Sequence, residues 1–240
     1  METVALVTGA TRGIGLEVAR QLGQRGMRVI VTARDEARAA IAAETLAAED
    51  LLATAMAVDV ASADSVRRLA TRLESEVGAL DVLVNNAAVS GQLLETASTA
   101  DLKAARELLD ANVLGAWRMT QALLPLLRRS EHPRIVNVSS GAGSHGDAEL
   151  GLTTSGGTAA SYGVSKAALN ALTVKLAAEL AGTGILVNAV CPGLTATAPG
   201  MQEMGARPVA DGAGSVVWAA VLDDDGPSGG FHRDGAPLPW

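Results

Sequence analysis

Short apolar runs alternate with longer helical patterns along most of this chain, and that alternation limits the possible folds more than any other feature. Runs rich in Val, Leu, Ile and Ala predict strands at 3–8, 27–33, 54–60, 80–87, 134–140 and 185–191. Apolar residues at helical spacing predict helices at 14–25, 35–49, 62–77, 101–129 and 159–181, the fourth either continuous or with a break. Because the strand runs are apolar on both faces, we expect an α/β fold with a mainly parallel sheet flanked by helices.

The chain shows no internal repeat and no linker that would divide it, so residues 1–240 are expected to form a single domain. Residues 141–158 are rich in Gly, Ser and Thr and predict a loop. A second irregular stretch at 194–208 predicts a mobile loop, within a substrate-loop region of about 194–212, and residues 211–222 predict a short helix. Near the end of the chain, Pro237 and Pro239 exclude a central strand and favour an edge strand or an extended tail.

Charge, hydropathy and cysteine content exclude several classes of protein. The formal net charge is −7 and no basic run is present, so a nucleic-acid partner is not expected. No apolar run is long enough to cross a membrane, and the chain does not start with a signal-peptide pattern. Cys191 is the only cysteine, which rules out an internal disulfide and favours a buried structural thiol. The histidines form no metal-ligand constellation. These features predict a soluble, cytoplasmic protein.

A glycine-rich turn, TGATRGIG at 8–15, lies between the first predicted strand and the first predicted helix. Gly9, Gly13 and Gly15 allow a tight turn, a close approach of the backbone to a pyrophosphate, and close packing of helix against strand. The start of the helix would add free N–H groups and a partial positive charge. The turn therefore predicts a dinucleotide site in a single Rossmann-like, doubly wound domain. The alternative is a glycine-rich turn without a ligand.

The residues after the second strand bear on which dinucleotide is bound. An acid at this strand end would bind the ribose 2′-hydroxyl of NAD, but the position is Ala33, followed by Arg34. Arg12 adds a second cation in the glycine-rich turn, and two guanidinium groups favour the 2′-phosphate of NADP. Asp35 caps the next helix or reaches the ribose. Asp59 binds the adenine edge or forms a turn.

Tyr162 is the only tyrosine in the chain, and Lys166 follows it at a spacing of four residues in a predicted helix. Residues i and i+4 share one helix face, so the two side chains can converge. A cation about 4 Å from a phenolate stabilises it by about 4 kcal/mol at an effective dielectric constant near 20. The pair therefore predicts a tyrosine with a lowered pKa that acts as general acid and base, although burial acts in the opposite direction. The alternative is a surface tyrosine with an unrelated lysine.

Several motifs in order resemble the short-chain dehydrogenase/reductase family, most strongly over residues 3–197. TGATRGIG is similar to the family's cofactor turn, and NNAA at 85–88 is similar to its NNAG motif. ANVLG at 111–115 carries the family's helix asparagine. IVNVSSGAG at 135–143 resembles the strand that ends in the catalytic serine. YGVSK at 162–166 matches YxxxK, and PGLTAT at 192–197 matches PGxxxT.

The resemblance implies roles for individual residues. Ser140, rather than its neighbour Ser139, would bind the substrate carbonyl oxygen, and Tyr162 would exchange the proton. Lys166 would lower the pKa of the tyrosine and hold the nicotinamide ribose, while Asn112 would position a water that relays protons to the lysine. The implied cofactor site comprises Gly9, Thr11, Arg12, Gly13, Ile14, Gly15, Arg34, Asp59, Val60, Asn86, Ala87, Tyr162, Lys166, Pro192, Gly193 and Thr197.

Within the family, the chain resembles the carbonyl-reductase-like branch, which commonly prefers NADPH. Two departures stand out. Ala88 replaces the motif glycine, and its methyl group is expected to be tolerated. Ser140 and Tyr162 are 22 positions apart, whereas about a dozen is common in the family. An insertion here is associated with monomers, so a monomer and a homo-oligomer both stay open, and residues 141–158 are candidates for lining the substrate pocket.

Together these features predict an NADP(H)-dependent oxidoreductase that interconverts a ketone or aldehyde and an alcohol by hydride transfer. The partner is a small-molecule carbonyl or alcohol, and the predicted cofactor is NADP(H) in preference to NAD(H). An alternative from another class is a non-catalytic dinucleotide-binding protein with a regulatory or assembly role. A sugar-nucleotide epimerase or dehydratase is a third reading, but such enzymes usually have a larger C-terminal substrate region.

Overall fold

Eight strands form one sheet in the computed structural model of the protein, which describes residues 2–240. In chain order the strands are β1 (Val4–Val7), β2 (Arg28–Ala33), β3 (Ala53–Ala57), β4 (Val82–Asn85), β5 (Arg134–Val138), β6 (Leu186–Val190), β7 (Phe231–Arg233) and β8 (Ala236–Pro237). Across the sheet the order is β3-β2-β1-β4-β5-β6-β7-β8, with β7 and β8 antiparallel and the other neighbours parallel. The predicted Rossmann-like α/β fold is confirmed.

The helices cover both faces of the sheet. They are α1 (Gly13–Gly23), α2 (Glu36–Ala47), α3 (Ala63–Glu76), α4 (Leu102–Leu109), α5 (Ala116–Leu127), α6 (Ala160–Glu179) and α7 (Val209–Ala220). Apolar residues of α1, α2 and α7 pack on one face, and those of α3, α5 and α6 pack on the other. Both faces of the central strands are therefore buried, which explains why their sequences are apolar without alternation.

The order of the strands reverses beside β1, and this reversal positions the candidate site. Val7 of β1 pairs with Val31 of β2 on one side and with Val84 of β4 on the other. Chain segments that leave the carboxyl ends of β1 and β4 therefore diverge to opposite faces and open a crevice between them. Ligands of open α/β sheets bind at such a switch point.

The helix predicted over 101–129 is interrupted. It consists of α4, a π-helical turn at Asp110–Gly115, and α5. The predicted asparagine, Asn112, lies within the π-helical turn and is buried. Turns of this kind add a residue to the helical ladder and occur often at functional sites.

The predicted loop at 141–158 contains two short 3₁₀ turns, Gly141–Gly143 and Ser155–Gly157, and packs against the last residues of the chain. Ser144 Oγ donates a hydrogen bond to the carbonyl of Pro239 over 2.5 Å. The Trp240 carbonyl accepts from the backbone of His145 over 2.8 Å. The C-terminal residues thus extend the edge of the sheet, as predicted, and also support this loop.

The irregular stretch predicted at 194–208 is followed directly by α7, which begins at Val209, two residues before the predicted short helix. An isolated bridge between Thr195 and Arg207 closes the base of this stretch. Among residues 2–240, no helix combines the length and the apolar content that crossing a bilayer would require.

Candidate active site

Tyr162 and Lys166 lie on one face near the start of α6, where the four-residue spacing brings them together. Lys166 Nζ is 5.5 Å from the centroid of the Tyr162 ring. The lysine side chain is buried, and its ammonium group donates a hydrogen bond to the carbonyl of Val138 over 2.8 Å. Because Val138 ends β5, this bond attaches the pair to the carboxyl edge of the sheet.

The sequence predicts a lowered pKa for Tyr162, and this direction is wrong for the protein alone. Burial raises the pKa of Tyr162 above its ordinary value, and hydrogen bonding with the Ser140 side chain only partly opposes this rise. Burial also lowers the pKa of Lys166 to about 8. Desolvation disfavours the charged forms of both side chains in the same buried volume, and for Tyr162 it outweighs the attraction that helical spacing alone predicts.

Ser139 and Ser140 follow β5 directly and have different surroundings. Ser139 is buried, and its hydroxyl donates to Asn170 Oδ1 over 2.6 Å. Ser140 is half-buried and interacts with Tyr162, while its Oγ accepts a hydrogen bond from the backbone of Ala142 over 3.2 Å. Ser139 is thus engaged inside the protein, and Ser140 is the serine beside the tyrosine.

Asn112 braces two segments of the site. Its Nδ2 donates to the carbonyl of Val89 over 2.8 Å and to Ser165 Oγ over 3.0 Å, and its Oδ1 accepts from the Val89 backbone over 2.7 Å. Ser165 in turn donates to the carbonyl of Tyr162 over 2.7 Å. The asparagine therefore connects the segment after β4 to the start of α6. Its role in positioning a water stays a prediction.

The glycine-rich turn has the close packing that its sequence predicts. Gly9 and Gly13 have φ angles of +64° and +54°, in the left-handed region that favours glycine. A Cβ on Gly9 would lie 3.0 Å from Ala87 Cα. A Cβ on Gly15 would collide with Asn86 Nδ2 and would lie 2.5 Å from the Gly9 carbonyl. The turn leaves no room for a side chain here, because the segment after β4 packs directly on it.

The first turn of α1 fits an anionic group. No side chain caps this helix, and its first turn contains no acidic residue. Its N–H groups and partial positive charge are therefore available for a phosphate. Gly13 also faces the PGLTAT segment, because a Cβ at that position would lie 3.3 Å from Thr197 Cγ2. Thr11 and Ile14 complete this turn and are half-buried.

The segment after β4 braces the glycine-rich turn through Thr8. Thr8 Oγ1 accepts hydrogen bonds from the backbone of Asn86 and of Ala87, each over 2.9 Å. Asn86 Nδ2 donates to the carbonyls of Thr8 and Gly9 over 2.8 and 3.2 Å. Ala88 is exposed, so its extra methyl group meets no crowding inside the protein. Sequence reasoning missed Thr8, although it directly precedes the first motif glycine.

Two arginine side chains lie beyond the carboxyl ends of the neighbouring strands β1 and β2. Arg12 and Arg34 are both exposed, and among residues 2–240 neither forms an ion pair or a side-chain hydrogen bond. Asp35 is occupied as the cap of α2, since its Oδ1 accepts from Ala37 N over 2.9 Å. Both guanidinium groups are therefore available to an anionic ligand.

The remaining predicted cofactor residues line the same edge of the sheet. Asp59 forms a turn, with Oδ1 accepting from Ala61 N over 3.1 Å. Val60 is buried against Gly115. Pro192 is buried. Gly193 has a φ of +71°, and a Cβ at that position would lie 3.4 Å from the Arg207 side chain. All these positions follow the carboxyl ends of β3 and β6, on the side where Tyr162 and Lys166 lie.

A buried polar network under the site was not predicted. Asn85 Nδ2 donates to Asn137 Oδ1 over 2.9 Å, and Asn137 Nδ2 donates to Thr173 Oγ1 over 2.9 Å. Asn170 Nδ2 donates to the carbonyl of Gly143 over 3.2 Å. The network connects β4, β5 and α6. Its signal in the sequence is a polar residue, such as Asn137, inside an otherwise apolar strand.

Comparisons with known proteins agree with this geometry. A family model described as short chain dehydrogenase matches residues 3–206. The chain is 35% identical to (+)-neomenthol dehydrogenase of Arabidopsis thaliana, with 95% of this chain and 94% of that protein covered.

Two solved structures are also similar. The NADPH-bound carbonyl reductase from chicken fatty liver superposes with a TM-score of 0.86 at 27% identity, covering 100% of this chain and 99% of that one. A metagenomic short-chain oxidoreductase in complex with NADP superposes with a TM-score of 0.79 at 30% identity, covering 96% of each chain. On the sequence match and the shared fold, the chain belongs to the short-chain dehydrogenase/reductase family of oxidoreductases.

Proposed function

We propose that this protein is an NADP(H)-dependent oxidoreductase that interconverts a carbonyl compound, a ketone or an aldehyde, and the corresponding alcohol. The observation that carries the proposal is the convergence of Ser140, Tyr162 and Lys166 at the carboxyl end of β5. These groups lie at the same edge of the sheet as the glycine-rich turn. This arrangement supports roles for Tyr162 as proton donor and for Ser140 as hydrogen-bond donor to a carbonyl oxygen, beside the proposed dinucleotide site.

In the reduction, Ser140 would hold the substrate carbonyl oxygen and Tyr162 would donate its phenolic proton to that oxygen. NADPH, when bound, supplies the hydride. Burial raises the pKa of Tyr162 in the protein alone and makes the phenol a weaker acid, so proton donation would depend on a charge that stabilises the phenolate. The buried ammonium of Lys166, 5.5 Å from the ring, would stabilise the phenolate that remains after proton transfer. The reverse sequence oxidises an alcohol.

Residues 8–15 would hold the pyrophosphate, and Asn86, Ala87, Asp59 and Val60 would line the adenosine side. Pro192, Gly193 and Thr197 would cover the nicotinamide, and Lys166 would bind its ribose. The preference for NADP(H) over NAD(H) is supported by Arg12 and Arg34, by the absence of an acid at Ala33, and by the NADP-containing relatives. Residues 194–212 would form the substrate loop, in which Leu194 and Met204 are exposed apolar side chains.

A direct test is to follow NADPH oxidation with a panel of ketones, aldehydes and quinones, with NADH measured in parallel. Turnover with at least one carbonyl, faster with NADPH, is the expected result. Tyr162→Phe is expected to lower kcat by roughly 10²- to 10⁴-fold while NADPH still binds. Binding of NADPH by the native protein without turnover of any compound would favour the non-catalytic alternative.

The two neighbouring serines offer a matched pair of variants. Ser140→Ala removes the hydroxyl beside Tyr162 and is expected to reduce kcat about 100-fold or more. Ser139→Ala removes a buried hydrogen bond to Asn170 and is expected to lower thermal stability with a much smaller loss of activity. Equal losses of activity in both variants would contradict the role assigned to Ser140.

A further inference from the structure

Two consecutive residues, the last residue of β7 and the first residue of the turn to β8, hold two different segments that border the candidate site. Arg233 Nη2 donates to Asp147 Oδ2 over 2.6 Å, and Asp147 belongs to the loop that follows Ser140. Asp234 accepts from Arg207 Nη1 and Nη2 over 2.8 and 2.7 Å, and Arg207 closes the substrate loop. We call Arg233 and Asp234 the clamp, residues 141–158 the serine loop, and residues 194–212 the substrate loop.

On the first side of the clamp, the ion pair packs directly against the residue after Ser140. A Cβ on Gly141 would collide with Asp147 Oδ2 and would lie 2.8 Å from Arg233 Nη2. Asp147 also accepts hydrogen bonds from the backbone of Glu149 and Leu150 over 2.9 and 3.1 Å, so the pair organises the start of the serine loop. A shift of this pair would therefore move the backbone beside Ser140.

The sulfur of Cys191 accepts hydrogen bonds where the serine loop meets Arg233. Gly141 N donates to Cys191 Sγ over 3.1 Å, and Arg233 Nη2 donates to it over 3.3 Å. Gly193 N donates to the same sulfur over 3.4 Å. This buried thiol at the end of β6 thus contacts the serine loop, the clamp and the PGLTAT segment.

On the second side, Arg207 supports the entrance of the substrate loop. Its backbone N–H donates to the carbonyl of Leu194 over 2.9 Å, and its carbonyl accepts from Ala196 N over 3.0 Å. Its guanidinium group also donates to the carbonyl of Asp211 over 2.7 Å. The Asp234 carboxylate therefore holds a residue that joins both ends of the substrate loop.

The clamp is itself anchored. The backbone N–H of Asp234 donates to Ser215 Oγ of α7 over 2.8 Å. Asp234 has a φ of +54°, a conformation that aspartate and asparagine tolerate better than most residues. Because α7 packs on the sheet, the clamp is fixed relative to β6 and β7.

We propose that Arg233 and Asp234 are positioning residues that hold the serine loop and the substrate loop in one fixed relation across the site. This inference rests on the proposed function, because its kinetic consequences are read from carbonyl turnover. Arg233 acts on Ser140 through Asp147 and therefore governs the chemical step. Asp234 acts on the substrate loop through Arg207 and therefore governs substrate binding.

Two isosteric variants separate the two sides. Asp147→Asn retains the shape that accepts the Glu149 and Leu150 N–H groups but removes the charge that pairs with Arg233. It is expected to lower kcat by roughly 10- to 100-fold with a small change in KM, since a misplaced catalytic group costs about that much. Asp234→Asn suits the same backbone conformation and is expected to raise KM about tenfold with most of kcat retained.

A matched control is Asp224→Asn, which removes the charge that pairs with the buried Arg134 over 2.6 Å. Arg134 begins β5, at the end of the sheet opposite the candidate site, so both kinetic constants are expected to stay within about twofold of the native values. A control variant that reproduced either kinetic change would overturn the proposal, because the effects would then reflect a general loss of stability.

Hydrogen–deuterium exchange provides a readout that does not depend on turnover. Asp147→Asn is expected to raise amide exchange in residues 141–152, and Asp234→Asn in residues 194–207, while Asp224→Asn leaves both segments unchanged. Unchanged exchange in both segments of Asp147→Asn and Asp234→Asn would refute the clamp, whether or not the native protein turns over a carbonyl. Raised exchange in a protein without turnover would instead support the clamp and refute the proposed function alone.

Discussion

The glycine-rich turn and the clamp lie at the same edge of one sheet, but different kinds of contact hold them. The turn at 8–15 is held by backbone atoms, the Thr8 hydroxyl and the Asn86 amide, in spaces too small for a Cβ. The clamp is held by two ion pairs between side chains that are 86 and 27 positions apart. The first region is therefore sensitive to volume, whereas the second is sensitive to charge.

Unlike the turn, the clamp and its partner Asp147 contain carboxyl groups whose pKa values are shifted by their surroundings. Burial acts to raise the pKa of Asp147, but the backbone N–H groups of Glu149 and Leu150 together with Arg233 outweigh it, and the pKa is lowered. Arg207 lowers the pKa of Asp234. Folding thus favours the charged carboxylates, whose contribution to stability is fully present above the unfolded carboxyl pKa of about 4 and is lost as the pH falls through their lowered folded-state pKa values.

The largest expected effect tests the volume sensitivity of the turn. Gly15→Ala would place a Cβ 2.5 Å from the Gly9 carbonyl and into Asn86 Nδ2, so we expect a loss of about 1–3 kcal/mol in the free energy of unfolding, together with weaker NADPH binding. Urea unfolding and a fluorescence titration with NADPH measure the two quantities.

A helical glycine elsewhere is the control for this variant. Gly214 lies in α7, and the nearest heavy atom to a Cβ there is Gln21 Oε1 at 4.0 Å. Gly214→Ala is therefore expected to stabilise the protein by about 0.5–1 kcal/mol through helix propensity. If both substitutions stabilised the protein, the close packing of the glycine-rich turn would be disproved.

A smaller effect is expected when a positive charge is removed from the candidate cofactor site. Arg12→Ala and Arg34→Ala are each expected to weaken NADPH binding about tenfold, which corresponds to about 1.4 kcal/mol for a charge-assisted hydrogen bond. Binding of NADH should be unaffected, since it lacks the 2′-phosphate. Isothermal titration with both cofactors gives the ratio. A parallel loss for NADH would show that the arginines act on the turn itself rather than on the phosphate.

The smallest expected effect is on the pH dependence of the free energy of unfolding. It comes from His232, which directly precedes the clamp in the chain. His232 is buried against Trp218, with ring centroids 4.8 Å apart, and burial lowers its pKa. A histidine whose folded-state pKa lies below its unfolded value of about 6.5 binds more protons when unfolded. Stability is then fully present above about pH 6.5 and declines as the pH falls toward the folded-state pKa.

His232→Phe is expected to flatten the dependence of the free energy of unfolding on pH between about 7 and 5, as measured by urea unfolding. The exposed His145 serves as a control, and His145→Gln should leave the profile as it is in the native protein. A native profile without any decline in this range would contradict the buried, neutral state of His232.

Much of the cofactor side was predictable because its signals are local. The strand runs and the glycine spacing at 9, 13 and 15 each describe a few consecutive residues, and the structure places them as expected. The four-residue spacing of Tyr162 and Lys166 likewise required only helical geometry. Corrections arose where the surroundings mattered. The sequence left a break in the helix at 101–129 open, and the structure makes it a π-helical turn at Asp110–Gly115, while burial reverses the predicted direction of the Tyr162 pKa.

By itself, the sequence determined the order of strands and helices, the close-packed turn, and the pairing of a phenol with an amine four residues later. These follow from backbone sterics and helical periodicity, which act between near neighbours in the chain. Only the tertiary structure decided the direction of the Tyr162 pKa, the burial of the Ser139 hydroxyl against Asn170, and the joining of Asp147 and Arg207 to Arg233 and Asp234. Desolvation and ion pairing depend on which distant segments meet in space, and no local pattern in the chain encodes that.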